Sequence, residues 1–166
     1  MSEGFSFSIE TPKDFLEKLK QEYQEYADSP LSSRHALNLA MTGFHMIEWI
    51  WGGELKKNIA LKNALGINDL TEFTDLVFQE CPSLKILRAI ANGSKHFRTE
   101  KTTVKKTSQE GGWDNSGWDE TPWDYGYLKI ELANGQIASF GDEAKSVVEY
   151  WDDFFKKHLP LTSGSS

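Results

Sequence analysis

The chain has a single cysteine, Cys81, in 166 residues. One thiol cannot close an internal disulfide, so the fold must be held by packing, and the cysteine pairs of a zinc site are absent. Beside Pro82 at a helix start, Cys81 reads as a small packed side chain and not as a nucleophile. Long hydrophobic runs are also missing: no stretch approaches the ~18 apolar residues of a membrane-spanning helix. The first ten residues, MSEGFSFSIE, have neither the basic nor the apolar region of an export signal. These absences lead us to expect a soluble, cytoplasmic protein with no membrane partner. There is no glycine-rich phosphate loop and no G-x-S-x-G elbow, so no ordinary cofactor is expected.

Hydrophobic residues make up 39% of the chain and aromatic residues 13%, enough at this length for one domain with its own core. Thr11-Pro12-Lys13-Asp14 is a helix start, with Thr11 as cap, Pro12 in the first turn and Asp14 able to reach back. Phe15, Leu16, Leu19, Tyr23 and Tyr26 then recur at helical spacing. A second helix is predicted from Ser32 or Ser33 to Trp51, closed by Gly52-Gly53. Its apolar side, built on Ala36, Leu39, Ala40, Gly43, Ile47 and Ile50, makes it the central helix. A shorter helix from Glu54 to Ala64 and a segment from Asp69 to Gln79, capped by Asn68, lead to the helix that opens at Pro82 and ends near His96 to Arg98. The last helix, Asp142 to Leu159, places acids early and Lys156, Lys157 and His158 late, as the helix dipole favours.

Between the last two helices the pattern changes. Thr99 to Thr107 is β-branched and alternating, Tyr127 to Leu132 alternates cleanly, and Asn134-Gly135 is a hairpin signal before Gln136 to Phe140. Residues 108–126 repeat Trp-Asp at a period of five, which matches neither a strand nor a helix, and are expected as a loop. Its indoles, Trp113, Trp118 and Trp123, either plaster the loop onto the bundle or present an aromatic surface to a protein partner. The expected fold is therefore mainly α. One helical bundle over residues 1–160 carries a small antiparallel β-sheet and a long Trp-rich loop as an insertion at 99–140, with a flexible tail at 161–166.

The net charge is −7, but it is unevenly spread. Residues 1–80 hold 7 Lys/Arg against 13 Asp/Glu and residues 111–166 hold 4 against 10, whereas residues 81–110 hold 7 against 2. On a helical wheel Leu84, Leu87, Ile90, Ala91 and Ser94 share one side of the helix from Pro82. Lys85, Arg88, Asn92, Lys95 and His96 fall within about 100° on another. The second helix carries a similar strip, Arg34, Asn38, His45 and Trp49, with Glu48 near its end. An imidazole beside a guanidinium and an ammonium suits metal-independent RNA cleavage, in which a 2'-hydroxyl is deprotonated and a leaving oxygen protonated. The other reading is a satisfied hydrogen-bond network or a solvated basic face. The candidate catalytic residues are His96, Arg88, Asn92 and Lys95, with His45 and Glu48 joining them if the two helices pack side by side. His45 and Glu48 reverse the Glu-x-x-His order of carboxylate-bridged di-iron bundles, and no second such motif exists, so no metal is expected.

The segments LNLAMTGFHMIEWIWGG and CPSLKILRAIANGSKHFR, within residues 31–98, resemble those of small bacterial proteins of unknown function and, more distantly, the HEPN superfamily (higher eukaryotes and prokaryotes nucleotide-binding). His96 matches the superfamily's motif histidine and Asn92 its polar residue. The usual arginine position holds Ala91, and the nearest arginine, Arg88, has seven residues between it and His96. The resemblance implies a helical bundle, commonly a homodimer, that acts on RNA or a nucleotide as a metal-independent ribonuclease. It also implies a setting in toxin-antitoxin or phage-defence systems. The alternative from a different class is a non-catalytic interaction module that uses the Trp-rich loop to bind protein.

Overall fold

The computed structural model describes residues 7–95, 103–110 and 127–160. The chain order is α1 (Pro12–Asp28), α2 (Ser33–Ile50), α3 (Ile59–Leu65), α4 (Leu70–Glu80), α5 (Ser83–Lys95), β1 (Val104–Glu110), β2 (Tyr127–Leu132), β3 (Ile137–Ser139) and α6 (Phe140–His158). This is the mainly helical bundle with a small sheet that the sequence pattern calls for. His96 and the three tryptophans of the expected loop lie outside the described residues.

Local chemistry starts the helices as expected, with shifts of a residue or two. At α1 the Thr11 hydroxyl accepts from the Asp14 N–H at 3.1 Å, and the Asp14 carboxylate accepts from the Thr11 N–H at 2.9 Å. At α4 the cap is Asp69 and not Asn68. Asp69 accepts from the Glu72 N–H at 2.9 Å, while the Asn68 N–H donates to the Glu72 carboxylate at 2.7 Å.

The larger difference is at Gly52-Gly53, which does not end the helix. The chain runs on through a π-helical turn, Trp51–Leu55, that delivers Leu55 to the core with no exposed surface. Gly53 serves a close approach instead: a Cβ there would stand 2.5 Å from Pro12 Cγ in the first turn of α1. Helix α3 then starts at Ile59, capped by the Asn58 side chain, and not at Glu54.

Helix α2 is the central element and packs against α1, α5 and α6. At its middle a Cβ on Gly43 would stand 3.1 Å from both Leu87 Cδ2 of α5 and Val147 Cγ1 of α6. Across the same crossing the buried Trp151 Nε1–H donates to the Gly43 carbonyl at 2.9 Å. Helix α1 is fixed to α2 by Phe15 stacked on Trp49, with ring centroids 4.5 Å apart, and to α6 by Lys20 paired with Asp152 at 2.7 Å.

The sheet is an antiparallel meander in the order β1-β2-β3. Strand β2 anchors it through Ile130, which is 1% exposed within the core. Strand β1 runs to Glu110, so Ser108 to Glu110, expected in the loop, pair instead with β2. Phe140, expected to end a strand, opens α6 and is buried edge-on to Tyr26 at 5.1 Å. No helix among the described residues is long and apolar enough to cross a membrane.

Two outcomes follow from this core. Trp151→Phe removes the bond to Gly43 and is expected to cost about 1–3 kcal/mol in urea unfolding with an unchanged m-value, because the buried carbonyl loses a partner. Asp152 is held below the ordinary aspartate value first by Lys156 and then by Lys20. A carboxylate depressed on folding contributes stability that is present above pH ~4 and lost as pH falls through its folded value. Asp152→Asn is therefore expected to lower the Tm near neutral pH and to flatten its fall below pH ~4, as read by calorimetry.

Candidate functional site

Helices α2 and α5 pack antiparallel. Leu87 meets Gly43, and Ile90 shares a cavity wall with Ser33, Ala36 and Leu37 nearer the start of α2. With Leu87 facing the crossing, a step of 100° brings Arg88 to the edge of the seam. Its guanidinium carbon lies 5.9 Å from the Phe44 ring centroid and 5.5 Å from that of Phe78 on α4. Phe78 is buried and Phe44 half-buried, while Arg88 is exposed. A long side chain that lays its stem on apolar rings keeps its charged head at the surface. The exposed His45 stands next to the same ring, 5.8 Å from Phe44 between centroids.

The structure therefore brings Arg88, Phe44 and Phe78 to one place, whereas His45, next to Phe44 in sequence, lines a groove beside Glu48. Phe44 and Phe78 carry helix-spaced apolar signals in the sequence, so their second use as a platform for Arg88 depends on α4 and α2 meeting at α5. Lys95 is elsewhere. Seven residues beyond Arg88 is about 10 Å of helix rise, and the antiparallel packing directs that end toward the start of α2. There α2 begins with Ser33 and Arg34, and His45 is left behind. Asn92 is half-buried between them. Among the described residues, Lys85, Arg88 and Lys95 form no ion pair and the Asn92 side chain no hydrogen bond.

The α2 strip is divided by its neighbour. Helix α1 takes Trp49 through the Phe15 stack and Thr42 through a bond from the Lys18 ammonium at 2.6 Å, which leaves Arg34, His45 and Glu48 exposed. His45 and Glu48 also border an open groove of about 460 Å³ with Glu10, Trp49, Gly52 and Gly53. Glu48 therefore belongs with the acidic start of α1 and not with the cations of α5. Among the described residues no group of three or more His, Cys, Asp or Glu side chains is placed to hold a metal ion.

A second polar cluster, not singled out by spacing, joins α4 to α6. The Tyr150 hydroxyl donates to the Glu80 carboxylate at 2.7 Å, and burial, followed by that bond, pushes the phenol well above its usual range. The neighbouring His158 ring lies 4.7 Å from that of Phe154, and burial lowers its pKa. Burial also raises the Cys81 thiol, which keeps it protonated near neutral pH and poor as a nucleophile. The Tyr150–Glu80 bond ties the end of α4 to the middle of α6.

Arg88→Ala is expected to change unfolding stability by no more than about 1 kcal/mol, the worth of an exposed cation–π contact. Phe78→Ala, which empties a buried site, is expected to cost about 3–5 kcal/mol. Parallel urea titrations check the contrast and separate the platform's structural part from the cation it carries.

No family model, curated protein or solved structure matches the chain.

Proposed function

We propose that the protein is a HEPN-like RNA-binding bundle that holds the phosphate backbone along the outer strip of α5 and cleaves it without metal. The observation that supports this reading is the line of Lys85, Arg88 and Lys95 on one strip of α5. Among the described residues these cations have no carboxylate partner, in a chain of net charge −7. Unpaired cations aligned on a rigid helix attract a polyanion and repel little of its length. The Phe44–Arg88–Phe78 arrangement adds a fixed guanidinium whose hydrogen-bond donors remain available to phosphate oxygens.

In this reading a general base removes the proton of a 2'-hydroxyl, the 2'-oxygen bonds to phosphorus, and the bond to the 5'-oxygen breaks. A general acid then protonates that leaving oxygen. Arg88 stabilises the charge that builds on the non-bridging oxygens. His96, the resemblance's motif histidine, is the proposed acid or base, with Asn92 positioning the backbone and Lys95 binding phosphate. His45 stands back along α2 from the Lys95 end of α5 and takes no part in that step.

The test uses single-stranded RNA followed by fluorescence anisotropy over a salt series, and cleavage of a mixed tRNA and messenger RNA pool in EDTA. Arg88→Ala is expected to weaken binding roughly tenfold at low salt and to flatten the salt dependence by about 0.7 in log–log slope, the amount for one phosphate contact on a single strand. His96→Ala is expected to abolish cleavage and retain binding. Unchanged binding when Lys85, Arg88 and Lys95 are all replaced by alanine would overturn the reading.

A further inference from the structure

A separate opening lies where the sheet meets the α2 end of the seam, a half-enclosed cavity of about 220 Å³. Its apolar lining comes from Leu37 of α2, Ile90 of α5, Leu128 and Ile130 of β2, and Phe140 at the start of α6. Polar groups are set among these, Thr107 and Gln109 of β1 on the sheet side and Ser33 in the first turn of α2.

The ladder register puts these polar groups on an unusual face. Cross-strand partners in an antiparallel pair share a face. Thr107 pairs with Ile130 and Gln109 with Leu128, and Ile130 is in the core. Thr107 and Gln109 therefore belong to the bundle side of the sheet, where a strand that only packs carries apolar residues. Both are nevertheless exposed, because the cavity separates them from the helices. Among the described residues, the side chains of Ser33, Thr107 and Gln109 make no hydrogen bond and no carboxylate lines the cavity. Lys129 borders it but pairs with Ser108, on the alternate face of the sheet.

We propose that this cavity binds a nucleobase. Its walls are aliphatic and aromatic, which suits the flat faces of a neutral ring. Gln109 offers a donor and an acceptor side by side, the pattern that pairs with the donor–acceptor edge of adenine. The Ser33 and Thr107 hydroxyls supply two further groups able to donate or accept. A volume of about 220 Å³ leaves room for one base with its sugar and phosphate outside. The inference rests on the RNA-binding reading for the source of the base, whereas its test uses nucleosides, which carry no phosphate.

Adenosine, guanosine, cytidine and uridine are titrated separately into the full chain at high salt, with Leu and Ile methyl NMR signals as the readout. Adenosine is expected to give the tightest saturable shifts at Leu37, Ile90, Leu128 and Ile130, with ribose giving none. Gln109→Leu is expected to weaken adenosine roughly tenfold or more, the scale of one lost bidentate base contact. Gln109 is exposed, so the variant should fold, and its methyl spectrum reports whether it does; Thr107→Val serves as the second variant. Absence of saturable shifts at millimolar nucleoside, or shifts unchanged in both variants, overturns the proposal. Nucleoside binding that survives Arg88→Ala while RNA binding does not supports two separate contacts. Nucleosides that bind when RNA does not would sink the backbone reading and leave the cavity standing.

Discussion

The bond from the Trp151 indole to the Gly43 carbonyl is the contact around which the bundle is arranged. A buried indole N–H needs an acceptor, and a helix carbonyl has a spare lone pair beyond its own helical bond. Gly43 also removes the side chain that would hold the neighbouring helices away. Leu87 and Val147 approach from two directions, each 3.1 Å from where a Cβ on Gly43 would stand, so α5 and α6 both depend on this residue. A second glycine acts likewise at the end of α2, where Gly53 admits Pro12 and so seats the start of α1.

The position of the crossing decides what reaches the surface. Leu87 is committed to Gly43, so Arg88 must emerge at the edge of the seam, where α4 supplies Phe78 and α2 supplies Phe44. The antiparallel run of α5 then carries Asn92 and Lys95 away from His45 and toward the start of α2. The outer strip of α5 is a line of cations spread over several turns. Near the start of α2 the helices meet an incompletely covered edge strand, and a cavity of mixed apolar and polar lining is left between them.

Several features were readable from local chemistry because they are decided within a few residues. The Thr11–Asp14 box, the Asn134-Gly135 hairpin and the acid-to-base gradient of α6 all depend on neighbours in sequence. The Gly52-Gly53 stop was misread because a glycine pair signals a helix end locally, whereas here the contact of Gly53 with Pro12, far earlier in the chain, determines its use. Phe140 was read with the strand before it, since alternation continues through Ile137 to Phe140 until the bundle buries the ring beside Tyr26. Of the candidate residues, the wheel placed Arg88, Asn92 and Lys95 on one outer strip of α5, where the structure also has them. It could not say which part of that strip His45 would meet.

The sequence by itself determined the mainly helical class, the amphipathic helices, the small hairpin and the basic strip of α5, because periodicity and caps are short-range properties of the chain. Only the tertiary structure decided that α2 and α5 cross at Gly43, that Phe44 and Phe78 flank Arg88, and that Glu48 belongs to the groove at the start of α1. It likewise decided that Thr107 and Gln109 face the bundle, since a strand's alternation names two faces and only its register against Ile130 and Leu128 says which one is inside. The reason is common to all of these: each is a relation between elements far apart in sequence, and the packing of a shared core selects it.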